Sequence, residues 1–248
     1  MPSLSTAQWL LAIAGALGMG ISKAGFPGMS LIHVVVFAFI FGARTSTGII
    51  LPMLLAADVL AVRAFRQHAQ WTYIRRMLPA TIVGVLLGFV LMGRLDEKLF
   101  APLIGVIVLV LVVLQMARLA RPGLFADVPH SRLFAWTMGL LAGVTTMLAN
   151  AAGPIFVLYA LAVGLPKYEL VGTGAWFFYL VNLSKVPLSA ALGLIGPQTL
   201  SLNLVLLPAV FAGIALGRWL TKHVPQRLFD GLLLAFAAIA ALRLIGVW

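Results

Sequence analysis

Two charged residues, Asp58 and Lys185, lie inside otherwise apolar stretches and could do chemistry in a low-dielectric environment. A charge inside a membrane segment normally faces the bundle interior and marks a pathway or a partner. We therefore expect Asp58 either to pair with Lys185 or Lys23, or to carry protons while Lys185 binds an anion. Asn182 precedes Lys185 by three positions, so on a helix it shares the same face. The plainer alternative is that both charges snorkel to the membrane surface.

A lysine, two glycines and a proline interrupt the first apolar run in the stretch SKAGFPG, residues 22–28. If the first segment penetrates part-way, Lys23 lies near the bilayer centre, where a charge costs about 2.5–3.5 kcal/mol. The next segment begins near Gly28, and a helix N-terminus favours anions. We expect Lys23, Gly25, Phe26 and Gly28 to form half of an anion site. Alternatively, the first segment crosses fully and Lys23 is an ordinary cytoplasmic flank.

A second break, NAAGP at residues 150–154, carries no charge but again offers a helix N-terminus with proline at its start. Asn150 could cap that helix or donate to a ligand. Two opposed helix N-termini and a lysine would hold a small mono- or dianion; the alternative is a plain tight turn. The expected substrate-binding residues are Lys23, Gly25, Phe26, Gly28, Asn150, Gly153, Asn182 and Lys185.

The sequence offers little for enzymatic or metal chemistry. It has no cysteine, its four histidines are scattered, and no H-E-x-x-H or paired-carboxylate spacing occurs. His33 is expected to pack between helices. A lipid-modifying enzyme would need convergent carboxylates or histidines. We therefore expect that the chain is not an enzyme and that it binds no metal and no cofactor.

The composition of the chain is typical of an integral membrane protein. Its residues are 62% hydrophobic and 9% charged, whereas a soluble domain is about 25% charged. The net charge of +11 is interpreted as the topogenic excess at membrane-segment ends rather than as a nucleic-acid surface. The expected partners are the lipid bilayer and a small anion, with a homodimer left open.

Apolar runs between charges predict an all-α polytopic membrane protein of about eight to ten helices. The predicted segments are 8–22, 29–41, 46–62, 77–93, 99–117, 133–149, 153–165, 170–193, 200–219 and 228–247. Three are short (8–22, 29–41 and 153–165), because a crossing needs about 20 residues. A break beside such a segment must be buried in protein or line a cavity, whether the pair is re-entrant or crosses.

The two halves of the chain resemble each other. The pattern LPAxxxGxxLG at residues 78–88 recurs at 207–217, and Leu99-Phe100 recurs as Leu228-Phe229, both 129 positions later. Chance identity in a Leu/Gly-rich chain is the alternative. We predict a first repeat at 1–121, a loop at 122–131 and a second repeat at 132–248.

Basic residues fall unevenly on the two predicted sides of the membrane. The side with fewer basic residues has four: Arg44, Arg94, Lys98 and Arg243. The richer side has twelve, or eleven if Lys23 lies in the membrane: Lys23, Arg63, Arg66, Arg75, Arg76, Arg118, Arg121, Arg132, Lys167, Arg218, Lys222 and Arg227. The richer side is therefore predicted to be cytoplasmic, with both termini periplasmic.

This topology makes the two repeats inverted. Inverted repeats with paired broken segments are typical of secondary transporters with a midplane site. A channel for small solutes, built on two half-helices, is the alternative.

The SKAGFPG break, the NAAGP break and the repeated LPAxxxGxxLG resemble the TauE/SafE family of bacterial anion permeases over essentially the whole chain. The resemblance implies a duplicated inner-membrane carrier that exports sulfite, sulfoacetate or other small organic anions. The chain departs from the family at Lys23-Ala24-Gly25, where many members carry consecutive glycines. Export of a monovalent anion from a negative-inside cell releases about 2.3 kcal/mol per 100 mV, and the sequence has no G-x-x-x-x-G-K-[ST] loop.

Overall fold

The computed structural model describes residues 4–24, 29–121 and 131–223, with 234–235, 237–239, 241–242 and 245–246 beyond them. Within these ranges the regular structure is helical. The elements are α1 (Thr6–Lys23), α2 (Met29–Phe41), α3 (Ala43–Phe65), a 3₁₀-helix (Arg66–His68), α4 (Trp71–Arg94), α5 (Glu97–Ala120), α6 (Arg132–Ala149), α7 (Gly153–Ala162), α8 (Lys167–Ala191) and α9 (Pro197–His223).

Five of the described segments are long and apolar enough to cross a membrane. They are Ala43–His68, Trp71–Arg94, Lys98–Ala117, Arg132–Ala149 and Pro197–Leu220. Helices α2 and α7 have 13 and 10 residues; at 1.5 Å per residue they are about 20 and 15 Å long, short of the ~30 Å hydrocarbon core. The predictions of an all-α polytopic membrane protein and of short helices at both breaks are confirmed.

The first helix of each predicted repeat begins with a serine cap. Ser5 and Gln8 form a capping box at α1, with Gln8 N donating to Ser5 Oγ (3.3 Å) and Ser5 N donating to Gln8 Oε1 (2.9 Å). Ser131 caps α6 by accepting from Phe134 N (3.1 Å). Each cap satisfies an amide that the first helical turn leaves without an intrahelical partner.

One predicted boundary needs correction, and two predicted segments fall mostly outside the described residues. The polar stretch 63–76 is not a loop, because the end of α3, the 3₁₀-helix and the first turn of α4 occupy most of it. Charge marks the edge of the apolar layer, whereas arginine is itself a good helix former, so the helices continue past it. Most of the predicted tenth segment (228–247), and residues 122–130 of the inter-repeat loop, lie outside the described residues.

Helices of the two predicted repeats are interleaved. Helix α4 packs along α6, α9 packs along α1, and α3 packs against α8 at the centre. Glycines allow the close approaches: a Cβ on Gly143 would lie 2.8 Å from Gly84 Cα, and one on Gly213 would lie 3.0 Å from Leu17 Cα. Under the predicted repeat, α1 corresponds to α6 and α4 to α9, so these two contacts would be equivalents of one another.

Candidate functional site

Described residues of both chain breaks line a common cavity of about 80 Å³. It lies where α1 and α6 end and α7 begins, with α2, α3 and α8 completing its wall. A single water molecule needs on the order of 10–15 Å³ of such space, so a few non-hydrogen atoms fit. The lining residues are Ser22, Lys23, Ser30, His33, Leu54, Thr146, Asn150, Ala152, Gly153, Val157, Phe178 and Asn182.

Lys23 is the cationic side chain in the cavity wall. It occupies the last turn of α1, its side chain is 16% exposed, and its ammonium pairs with Asp58 Oδ1. Its Nζ also lies 4.8 Å from the centre of the Phe178 ring, close enough for a cation–π contact. Lys23 is therefore a paired, largely buried cation rather than a solvated flank.

Asp58 is fully buried in α3, which rules out snorkelling. Its Oδ1 accepts from Lys23, and its Oδ2 accepts from Asn182 Nδ2 at 2.7 Å. Of the two pairings that the sequence left open, the structure forms the one with Lys23. Asp58 thereby links α1 to α8 through α3.

Lys185 lies behind the cavity wall and is only 2% exposed. Its ammonium donates to Thr146 Oγ1 (3.1 Å), Asn150 Oδ1 (2.5 Å) and Asn182 Oδ1 (3.3 Å). An ammonium has three donors, so these neutral oxygens use all of them. The predicted shared face of Asn182 and Lys185 is confirmed by their contact.

Asn150 ends α6 in the left-handed conformation, with φ 53° and ψ 32°. Asparagine tolerates this region better than other residues with a Cβ. Its Nδ2 donates to the Thr47 carbonyl at 3.0 Å, so it reaches α3 as well as Lys185. Of the two roles left open for Asn150, capping of α7 does not occur: Ala152 holds the cap position, with no side-chain cap. Donation to a ligand stays a prediction.

The N-terminus of α7 contributes Ala152 and Gly153 to the cavity wall. Pro154 follows, where its missing N–H removes no intrahelical bond. Gly153 faces α2, since a Cβ there would lie 3.2 Å from Ser30 Oγ. The partial positive charge of a helix N-terminus, about half an elementary charge, therefore adjoins the cavity.

Of the predicted site residues, the structure brings Lys23, Asn150, Gly153 and Asn182 together in one wall and places Asp58 and Lys185 directly behind it. Gly25, Phe26 and Gly28 lie outside the described residues. Among the residues that are described, no three histidine or acidic side chains gather as a metal site.

Sequence reasoning missed several wall residues. Thr146 is four positions before Asn150 on α6, so helical spacing could have identified it. Ser30 and Phe178 gave no such signal. His33, which we expected only to pack between helices, is buried in the wall.

Comparison with known protein families gave a match over nearly the whole chain. The family model described as "Sulfite exporter TauE/SafE" matches residues 11–244, a range that includes both breaks and both copies of LPAxxxGxxLG. Searches of curated proteins and of solved structures found no match.

Proposed function

Because the chain belongs to the sulfite exporter TauE/SafE family, we propose that it is a secondary transporter that exports a small anion, such as sulfite or an organosulfonate. The anion binds in the central cavity between the two breaks. The family implies an anion transporter rather than an enzyme. The bacterial inner membrane is the proposed location, with both termini periplasmic.

The charge balance around the cavity carries this proposal. Two largely buried lysines, Lys23 and Lys185, lie around one buried carboxylate, Asp58. Asp58 makes its ion pair with Lys23. The hydrogen-bond partners of the other lysine, Lys185, in the described part of the chain are neutral. An uncompensated charge away from water is costly, and an anion in the adjoining cavity would compensate it.

The two asparagines orient polar groups toward the anion. Each amide oxygen accepts from Lys185, while each amide nitrogen donates one hydrogen, Asn150 to Thr47 O and Asn182 to Asp58 Oδ2. An amide nitrogen carries two hydrogens, so each asparagine keeps a second donor. Lys185 thus acts on the anion through its charge and through the two asparagines, whereas Lys23 contacts it.

The interleaved helices support inverted repeats around this cavity. Each central helix contributes a charged side chain, Asp58 from α3 and Lys185 from α8. A site at the interface of two repeats suits alternating access, because rocking one set of helices against the other changes which side is open. The membrane potential then favours export without ATP, by about 2.3 kcal/mol per 100 mV for each negative charge.

Uptake into inverted membrane vesicles tests the proposal. We expect saturable uptake of labelled sulfite or sulfoacetate and no uptake of glycerol, measured with and without a pH gradient. Dependence on that gradient would assign proton coupling, for which Asp58 is the candidate. Glycerol uptake without anion uptake would favour the channel instead.

Variants of Lys23 locate the site. Lys23→Gln leaves Asp58 buried and unpaired, a change that costs about 3–5 kcal/mol in comparable buried pairs. The matched variant Lys23→Gln/Asp58→Asn removes both charges and restores neutrality. We expect both variants to lose at least about tenfold in uptake, one factor of ten being about 1.4 kcal/mol, and the double variant to be the more stable. Uptake at the wild-type rate by either variant would show that the anion binds elsewhere.

A further inference from the structure

An open groove of about 340 Å³ lies between the end of α3 and the last turns of α9. Arg63 of α3 and Arg218 of α9 line it, and both side chains are exposed. The groove floor is apolar and includes Leu60 and Ile214. The two guanidinium groups are thus the charged part of an otherwise apolar recess.

A smaller cavity of about 30 Å³ lies between this groove and the central cavity. It shares Leu60, Ile214 and Arg218 with the groove. It shares Lys23 with the central cavity. The three spaces therefore follow one another, and cationic side chains line the shared walls.

Within the described part of the chain, no acidic side chain pairs with the arginines of the groove. Among the residues that the structure describes, neither Arg63 nor Arg218 forms an ion pair, and the buried carboxylate of Asp58 pairs with Lys23. Like charges lining a recess with low-dielectric walls focus the field and raise the local concentration of counter-ions. Guanidinium also binds oxyanions through two parallel hydrogen bonds.

We propose that the groove between α3 and α9 is a second anion site, in which Arg63 and Arg218 capture the substrate oxyanion before it passes Lys23 into the central cavity. This inference rests on the proposed function. Both arginines belong to the predicted cytoplasmic set, so the groove is where an exported anion enters. Lys23 lines two of the three spaces and can bind the anion on either side of the narrow passage.

The test measures initial rates of sulfite uptake into inverted vesicles as a function of concentration. For Arg63→Gln/Arg218→Gln we expect KM to rise about fivefold or more while the maximal rate stays within about twofold, because capture is weakened but the central site is intact. The difference should shrink in high salt, since exposed charges are screened over about 3 Å at 1 M. Arg75→Gln is the matched control. Arg75 is an exposed arginine in the second turn of α4, outside the groove lining, and the KM of this variant should equal that of the wild type.

Three outcomes separate the possibilities. Absence of transport by the wild type would defeat the proposed function itself. Wild-type transport with an unchanged KM in the double variant would overturn the capture site alone. A change in KM that occurs in proteoliposomes containing phosphatidylglycerol but not in neutral phosphatidylcholine would assign the arginines to lipid headgroups, and would also overturn it.

If the glutamine variant does not fold, Arg63→Lys/Arg218→Lys provides the second measurement. It keeps both charges but removes the bidentate geometry, so KM should rise by a smaller factor. A KM equal to that of the wild type would contradict capture by the guanidinium groups.

Discussion

Asn150, at the end of α6, connects that helix to α3 and α8 through its side chain. Its oxygen accepts from Lys185, its nitrogen donates to Thr47 O, and its backbone is left-handed. The residue therefore ends α6, fixes the position of a buried ammonium and lines the cavity. Backbone conformation and hydrogen bonding make separate contributions that different substitutions can distinguish.

Replacing Asn150 by glycine or by alanine should weaken sulfite binding in both cases, because Lys185 loses an acceptor. Stability should differ: Asn150→Gly keeps the left-handed turn, whereas Asn150→Ala should be less stable than the glycine variant by about 1–2 kcal/mol. Thermal unfolding in detergent measures the difference.

Asn203 supplies the control for Asn150. It is buried inside α9, where alanine should be more stable than glycine by about 1 kcal/mol, the reverse of the order at Asn150. The same order at both positions would show that the left-handed conformation contributes nothing to stability.

The sequence predicted some of the polar residues that gather, but it missed Thr146 and Ser30 and did not show how the predicted residues pair. Lys23, Asn150 and Asn182 could be identified because a charge or an amide is unusual in an apolar run. Whether Asp58 meets Lys23 or Lys185, and whether Lys185 lies in the cavity or behind it, depends on helix rotation and on side-chain direction. Those follow from tertiary packing, which a pattern of charges does not determine.

At the scale of elements, glycine determines how closely the interleaved helices approach. A Cβ on Gly84 of α4 would lie 3.0 Å from Gly143 Cα on α6, and one on Gly213 of α9 would lie 2.9 Å from the carbonyl carbon of Leu17 on α1. Such distances require the helices to move apart. The repeated motif LPAxxxGxxLG contains both Gly84 and Gly213. The sequence therefore indicated one residue of each contact but not the residue that it packs against.

Gly84→Ala and Gly213→Ala should each destabilise the protein by about 1–3 kcal/mol, the usual cost of overpacking. Gly93→Ala is the control on α4, because its nearest neighbour would be Leu192 Cδ2 at 3.8 Å; alanine there should be neutral or slightly stabilising. Unfolding temperatures in detergent give the comparison. If Gly84→Ala were as stable as Gly93→Ala, the close α4–α6 contact would be wrong.

At the scale of the whole molecule, the units that pack together are not the sequence repeats. Helix α9 packs with α1 and α4 with α6, so each tight pair takes one helix from each half. Under the proposed function, any rigid body that moves in transport therefore combines both halves. Motif spacing predicted that the two halves resemble each other. That each helix of these pairs packs against a helix of the other half depends on contacts between residues far apart in the chain.

The inverted topology predicted for the two repeats concerns the whole molecule, and single cysteines can test it because the chain contains no native cysteine. Gln67 and Gln198 are both exposed. Gln67 lies between α3 and α4, and Gln198 lies in the first turn of α9, at the corresponding position of the second predicted repeat. We expect a membrane-impermeant maleimide to label Gln198→Cys in intact spheroplasts and Gln67→Cys only after permeabilisation, where both should react equally. Labelling of both from the same side would exclude inversion. Because Arg63 is four residues from Gln67, the same experiment decides which face of the membrane the arginine groove opens to.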